Sequence, residues 1–361
     1  MSETYGAMGD LSWDRMYAVA MEQYTKGINI LIPHAVWYDD THVTFKPELS
    51  YRSPIYAQGL PEFNTYTARL NVLLQNDGRH VCDIAVLYPI ATLQGSHHLD
   101  GPLGFYQGGV DVPEADYLDV GELLIAGAGR DYAFLHPEVL DETCKVEGGE
   151  LVLPNRIHAE RFQVFVLPGH KTIRWSSLRK IAEFYEGGGK VIATGRLPNK
   201  SAEFGHDEDV TRTIEAMFGT QAPTDYGVSK NANGGMAIHL KALNAAALRE
   251  ALDIALGVYD VEYEGQDVLR YIHKVQEGTQ IYLFANIGGK PIDTHARLRG
   301  RMELEAWDPH MGQIVPAEST PEVEAGCDVT KVRLTLPPTK SVFILGKGSK
   351  PKAASGSQRS Y

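Results

Sequence analysis

The sequence predicts an α/β protein in which parallel strand–helix repeats give way to an antiparallel β-sandwich, and three observations carry that prediction. The chain opens strand, helix, strand. Residues 79–258 go on alternating short apolar runs with amphipathic helices. After Tyr259 the helices stop, and short strands follow one another between Gly, Pro and Asp turns. At 361 residues the chain is long for one core, so two or three domains are expected. They divide as 1–78, 79–258 and 259–347, with a polar, mildly basic, low-complexity tail at 348–361 expected to be disordered.

Taken in order, "SET" reads as a first strand ending near Glu3. Trp13, Met16, Tyr17, Ala20, Met21 and Tyr24 then recur at helical spacing behind Ser12, a suitable N-cap, with Gly27 just past the end. "INILIPHAVWY" is a continuous apolar run, as a strand buried on both faces of a parallel sheet would be, and it ends at His34. Phe63, Tyr66, Leu70, Leu73 and Leu74 mark a second helix between Pro61 and the Asp77-Gly78 turn. In the middle block, "VCDIAVLYPI", "DYAFLHP", "FQVFVLPG" and "KVIAT" read as strands. Helices are expected around Asp116–Leu124, Thr172–Glu186, Val210–Phe218 and Asn244–Leu256. "VLRYIHKV", "TQIYLFANI", "RMELEAWDP", "KVRLTL" and "SVFILGK" supply the sandwich.

Composition and absent motifs remove several function classes. A formal charge of −12 and a pI near 5.5 repel phosphate backbones and anionic lipid, so neither nucleic acid nor membrane is expected as a partner. No apolar run approaches the roughly 20 residues of a membrane span. Cys82, Cys144 and Cys327 are far apart and form no Cys-x-x-Cys pair, so buried free thiols are expected rather than disulfides or a structural zinc site. The triple glycine Gly187–Gly189 precedes a strand, where it can end a helix but cannot cradle a pyrophosphate. P-loop, Gly-x-Ser-x-Gly and His-Glu-x-x-His patterns do not occur. No charged segment followed by an apolar core comes after Met1, as a secretion signal would require.

The residues that could carry chemistry are few. A carboxylate at the C-terminal end of a parallel strand faces the place where barrel enzymes hold substrate, which makes Glu3 the leading candidate; a frayed N-terminus would make it an ordinary exposed residue. His34 ends the next strand, where its imidazole could bond a hydroxyl while Trp37 and Tyr38 stack on the apolar face of a sugar; alone, it could equally be a satisfied core histidine. Asp10 and Asp39 have no spacing that nominates them. His97 and His98 lie in a loop after the first strand of the middle block and are poorly spaced for a metal. His98 is retained as a residue that could lean over a neighbouring site, against the ordinary reading of a solvated loop. The turn in "FVLPGHKTIRW" follows a buried strand and leads into a helix, the place where class I glutamine amidotransferase domains hold a nucleophilic cysteine. Pro168-Gly169-His170 offers neither cysteine nor serine, so the block reads as scaffold.

With those residues in view, "SETYGAMGDLSWDRMYAVAMEQYTKGINILIPHAVWY" resembles the late repeats of barrel glycoside hydrolases, especially the α-L-rhamnosidase-like enzymes of glycoside hydrolase family 106. "RLNVLLQNDGRHVCDIAVLYPIATLQ", "ADYLDVGELL" and "DYAFLHPEVLDE" are similar to the Rossmann-like domain that follows that barrel. "AWDPHMGQIVP" and "LPPTKSVFIL" resemble the closing β-sandwich. The resemblance implies an α/β fold class: terminal (β/α) repeats of an incomplete TIM barrel, then a Rossmann-like or amidotransferase-like α/β domain, then the sandwich. It implies a glycoside hydrolase acting on an oligosaccharide or glycoside, of α-L-rhamnoside type, by a carboxylate acid/base mechanism. Glu3 would be at the catalytic centre and His34 on the sugar. A full barrel has eight strands, so the earlier ones, and the second carboxylate that glycoside cleavage requires, are expected from an upstream segment, and an open barrel edge is expected to promote self-association. Calcium is implied by the resemblance alone, with no ligand cluster in the sequence behind it, and export to the periplasm or outside the cell by the habit of such enzymes. Two other functions compete: a non-catalytic carbohydrate-binding or assembly scaffold, and an amidotransferase-like or flavodoxin-like enzyme.

Overall fold

The computed structural model describes residues 1–96, 115–220, 226–264 and 267–348. The chain forms two compact units: Met1–Val81 together with Val258–Tyr361, and Cys82–Gly257.

The first unit begins with β1 (Ser2–Thr4), α1 (Trp13–Thr25) and β2 (Leu31–Pro33), followed by α2 (Leu60–Leu74) and the short β3 (Arg79–His80). Ser12 caps α1 by accepting from the Arg15 amide at 3.2 Å, and Pro61 sits in the first turn of α2. Gly59, just before α2, lies flat against Trp13, where a Cβ would fall 2.3 Å from the indole. β1 and β2 pair in parallel, Glu3 opposite Ile32 and Thr4 opposite Pro33, as a sheet of two strands. The apolar run that reads as a strand buried on both faces is therefore corrected. Only Leu31–Pro33 is strand, and Ile30 and Ile32 are about half exposed, because no third strand covers β2 among the described residues. Among those residues there is no closed barrel.

The sandwich consists of a six-stranded and a four-stranded sheet. In the six-stranded sheet the central strand Thr279–Asn286 pairs antiparallel with Leu269–Gln276 and Ser341–Gly348. Successive side chains of a strand face opposite ways, and here both faces are covered. Tyr282, Phe284 and Ile344 pack toward Ile292, Ala296, Leu298 and Leu334 of the other sheet. Ile281, Leu283, Ala285, Phe343 and Leu345 pack against Met16, Ala20, Tyr24, Phe63 and Leu70 of α1 and α2. The first eighty residues and the sandwich thus share one core, at roughly 1.5–3 kcal/mol per buried large side chain. Polar contacts tie the same layers. Lys274 Nζ donates to the last carbonyl of α2, Leu74 O, at 2.8 Å, Arg69 donates to His310 O at 2.7 Å, and Tyr66 Oη and Ser341 Oγ are 2.9 Å apart. β3 joins the edge of the six-stranded sheet beside Lys274 and Val275.

In the second unit a six-stranded sheet runs Tyr226–Lys230, Met236–Leu240, Lys190–Thr194, Val164–Leu167, Ile84–Leu87, Ala133–Leu135. All pairs are parallel except the first. Numbered along the chain, its parallel strands stand in the order 2-1-3-4-5, the doubly wound arrangement of flavodoxin-like domains. Helices Trp175–Glu186 and Asp207–Phe218 cover its core through Leu178, Ile181, Phe184, Val210 and Ile214. The three cysteines are free; Cys82 and Cys144 are buried, but Cys327 is exposed, opening a strand whose alternating pattern turns it to solvent. The stretch 349–361 lies outside the described residues. No helix of the described residues is long and apolar enough to cross a membrane.

Candidate active site at the ends of two parallel strands

Parallel pairing puts the C-terminal ends of β1 and β2 side by side, and the two residues nominated there meet. Glu3 Oε1 and His34 Nδ1 are 2.9 Å apart, with the Glu3 side chain 67% exposed and His34 21% exposed. The backbone sets the approach: the His34 amide donates to Thr4 O at 2.7 Å, extending the ladder one residue beyond β2. The second ring nitrogen, Nε2, lies 3.2 Å from Phe45 O. A carbonyl can only accept, so Nε2 carries a hydrogen, and the contact with Glu3 closes with a second proton on either Nδ1 or Oε1. A proton on either atom would make this contact a hydrogen bond. Trp37 packs edge-on against the imidazole, ring centroids 5.9 Å apart. Tyr38 follows with its side chain fully exposed and makes no ring contact with the pair among the described residues. His98 lies outside the described residues.

The turn after Glu3 is strained. Tyr5 and Ala7 adopt φ of 77° and 58°, a region costing about 1–3 kcal/mol for a residue with a side chain. Tyr5 is held there by burial of its ring and by donation from its hydroxyl to Met16 O at 2.9 Å. Between them Gly6 leaves room for the pair: a Cβ there would fall 2.9 Å from Glu3 Oε1 and 3.5 Å from the His34 ring, so the flexible carboxylate would have to move. Gly6→Ala is expected to displace the carboxylate from its contact with His34; misplacing a catalytic group by an ångström costs up to about 10²-fold in rate, the loss expected if Glu3 is one. The check is steady-state kinetics beside an unchanged unfolding midpoint.

The other acids nearby have their own tasks. Asp10 is paired with Lys46 at 2.5 Å. Asp39 accepts from the Thr41 amide and hydroxyl at 2.9 and 2.6 Å, and those bonds hold its carboxyl below the usual range. Sequence reasoning met Gly6 only as the turn glycine of a Ser-Glu-x-x-Gly strand end and singled out neither Phe45 nor Arg52, whose guanidinium donates to the carbonyls of Trp37 and Tyr38. Glycine three residues after the glutamate was the one visible sign. Among the described residues no three His, Cys, Asp or Glu side chains converge that could hold a metal ion.

In the second unit, the Pro168-Gly169-His170 turn has its amide already engaged. Asp116 Oδ1 accepts from the Gly169 N–H at 2.6 Å and Oδ2 from Thr194 Oγ1 at 2.9 Å, and burial raises the Asp116 carboxyl above its ordinary value despite those bonds. His170 is fully buried; its Nδ1–H donates to Pro168 O, while Nε2 has no partner among the described residues. Burial pushes its imidazole down to about 4. Between the ordinary value of 6.5 and 4 the unfolded chain binds more protons, so stability should fall as pH falls through that window, by up to roughly 3 kcal/mol at this residue. His170→Asn should flatten that slope in denaturation curves recorded at stepped pH.

The family model for glycoside hydrolase 106, alpha-L-rhamnosidase, matches residues 109–320, more than half of the chain. The chain belongs to glycoside hydrolase family 106. No curated protein matches it. Among solved structures, the family 106 chain is similar to a rhamnosidase from Novosphingobium sp. PP1Y, at 19% identity and a TM-score of 0.65 over 96% of this chain and 30% of that one. It also shares its fold with the GH42 β-galactosidase Gan42B from G. stearothermophilus (10% identity, TM-score 0.59, 95% of this chain and 52% of that one). An alpha-L-fucosidase, isoenzyme 2 from Paenibacillus thiaminolyticus, gives 12% identity and a TM-score of 0.54 over 93% of this chain and 57% of that one. The family 106 chain therefore spans about a third of the rhamnosidase and little more than half of the other two.

Proposed function

We propose that Glu3 and His34 stand at the sugar-cleaving centre of a hydrolase of α-L-rhamnosides, on two (β/α) repeats of a parallel barrel. The observation that carries the reading is the 2.9 Å contact between an exposed carboxylate and an imidazole at the C-terminal ends of adjacent parallel strands, in a chain of the rhamnosidase family. Such strand ends are where barrel enzymes place their chemistry.

In this reading the proton held between Glu3 and His34 is the one given to the leaving glycosidic oxygen, and Trp37 borders the sugar. Phe45 O fixes the imidazole so that it hands the proton toward Glu3 and not elsewhere. Cleavage also needs a second carboxylate about 5–9.5 Å from the first, as nucleophile or as base for water. Asp10 and Asp39 are committed to other partners, and Glu48 is nearly buried against Ser50 and Arg52.

The experiment is release of the aryl group from an aryl α-L-rhamnoside by the wild-type protein and by Glu3→Gln. Loss of turnover in a variant with unchanged circular dichroism supports the assignment. Turnover at the wild-type rate removes Glu3 from the mechanism.

A further inference from the structure

We propose that Arg52 is a positioning residue that clamps the Trp37–Tyr38 segment against the Glu3–His34 pair and thereby sets substrate affinity; the proposal rests on the reading of that pair as the sugar-binding centre.

Residues 34–53 contain neither helix nor strand, so the wall of the site beside His34 must be ordered by other contacts. Near its base a backbone clasp does this. The Leu49 amide donates to Ala35 O at 2.8 Å, and the Ala35 amide to Pro47 O at 3.4 Å. Beyond the clasp, the Arg52 side chain joins the two strips 36–40 and 50–53. Arg52 Nη2 donates to Trp37 O and Nη1 to Tyr38 O, the latter at 3.4 Å. Its Nε lies 3.9 Å from the Asp40 carboxylate, and Nη2 is 3.5 Å from Glu48 Oε1.

The anchor under the guanidinium is firm. The Glu48 side chain is only 9% exposed and accepts from Ser50 Oγ at 2.9 Å, and that same Oγ accepts from the Arg52 amide at 3.1 Å. A planar fork with five donors can serve two carbonyls and two carboxylates together; an ammonium cannot match those directions. The consequence passes along the backbone. Holding Trp37 O fixes the peptide that carries the indole, and the indole sits edge-on to His34 at 5.9 Å. The hydrogen bonds and ion pairs of Arg52 go to Trp37, Tyr38, Asp40, Glu48 and Ser50, none to His34 or Glu3 among the described residues, so its loss should loosen the wall while leaving the Glu3–His34 pair in place.

The test uses the full chain as wild type, Arg52→Lys and Arg52→Met, with two readouts. Amide hydrogen exchange over residues 35–50 should speed by about tenfold or more in Arg52→Met and less in Arg52→Lys, with exchange in α1 and α2 unchanged. Kinetics on an aryl α-L-rhamnoside should show KM raised about tenfold with kcat within about twofold, and added guanidinium ion should lower KM again in Arg52→Met. Wild-type exchange in Arg52→Met overturns the proposal whatever the activity, as does a fall in kcat at constant KM. Should Arg52→Met fail to fold, Arg52→Lys decides by the same two readouts. Fast exchange in Arg52→Met beside full activity in Glu3→Gln retires the sugar-centre reading and supports the clamp.

Discussion

Glu3→Gln is expected to lower turnover of an aryl α-L-rhamnoside by about 10²–10⁴-fold, the range general acid–base groups contribute, with the unfolding midpoint almost unmoved. The two halves of that expectation come from different physics. Glutamine keeps the size of the side chain and can still bond His34, but it has no proton to give to a leaving oxygen. Stability is spared because the Glu3 side chain is 67% exposed, and ion pairs of that exposure are worth about 0–1 kcal/mol. Steady-state rates beside thermal denaturation read both halves, and a variant that loses activity by unfolding would argue for a structural role.

The largest loss of stability is expected from Asp260→Ala, at about 3–5 kcal/mol, the cost of stripping one partner from a buried ion pair. Asp260 Oδ2 lies 2.7 Å from His273 Nδ1, Arg299 Nη2 is 3.6 Å from the other oxygen, and His273 Nε2 is 2.9 Å from Gln280 Oε1. Both ring nitrogens lie against polar side chains, and the imidazole is stacked on Tyr282 at 3.9 Å. Removing the carboxylate strips the buried His273 and the nearby Arg299 of their anionic partner. Burial pushes the Asp260 carboxyl upward, but His273 and Arg299 outweigh it and hold the group below its ordinary value of 3.8. A carboxyl lowered on folding stabilises above its unfolded value. That contribution is lost as pH falls below about 4 toward the folded value, where the unfolded chain binds the proton first. Urea titrations of wild type and Asp260→Ala should therefore differ most at neutral pH and converge in acid. Equal midpoints at neutral pH would show the cluster to be ornamental.

How much of this was legible depended on whether the determinant was local. The helices α1 and α2 announced themselves through 3.6-residue spacing, and Ser12, Pro61 and Gly27 marked their ends because caps are short-range devices. "INILIPH" misled because apolar character does not say what covers a strand; Ile30 and Ile32 are left facing outward. Met236–Leu240 escaped notice although it lies between Lys190–Thr194 and Tyr226–Lys230 in the sheet, since a five-residue run with His239 inside it has too few positions to show a period. The same holds for Ile292–Arg299, where Ile292, Ala296 and Leu298 point inward between polar residues.

In the site, Glu3 and His34 could be placed together because both end strands of one strand–helix–strand unit, and parallel pairing does the rest. Gly6 was visible as a turn glycine three residues after the glutamate, but its closeness to the carboxylate showed only in the structure. Arg52 acts across fourteen and fifteen residues on carbonyls, which every sequence possesses and none advertises. Asp260 and His273 are likewise joined by the stacking of two sheets, a juxtaposition written nowhere in local spacing.

The shared core of the first unit also bears on how the chain is made. The apolar stripes of α1 and α2 are finished early, yet the strands that cover them, Leu269–Gln276, Thr279–Asn286 and Ser341–Gly348, are translated only after residues 82–257. At about 5–20 residues per second, those stripes emerge from the ribosome on the order of ten seconds or more before their cover exists. The core of the intervening α/β unit, from Cys82 to Ala237, is assembled from residues within that unit and has no such wait.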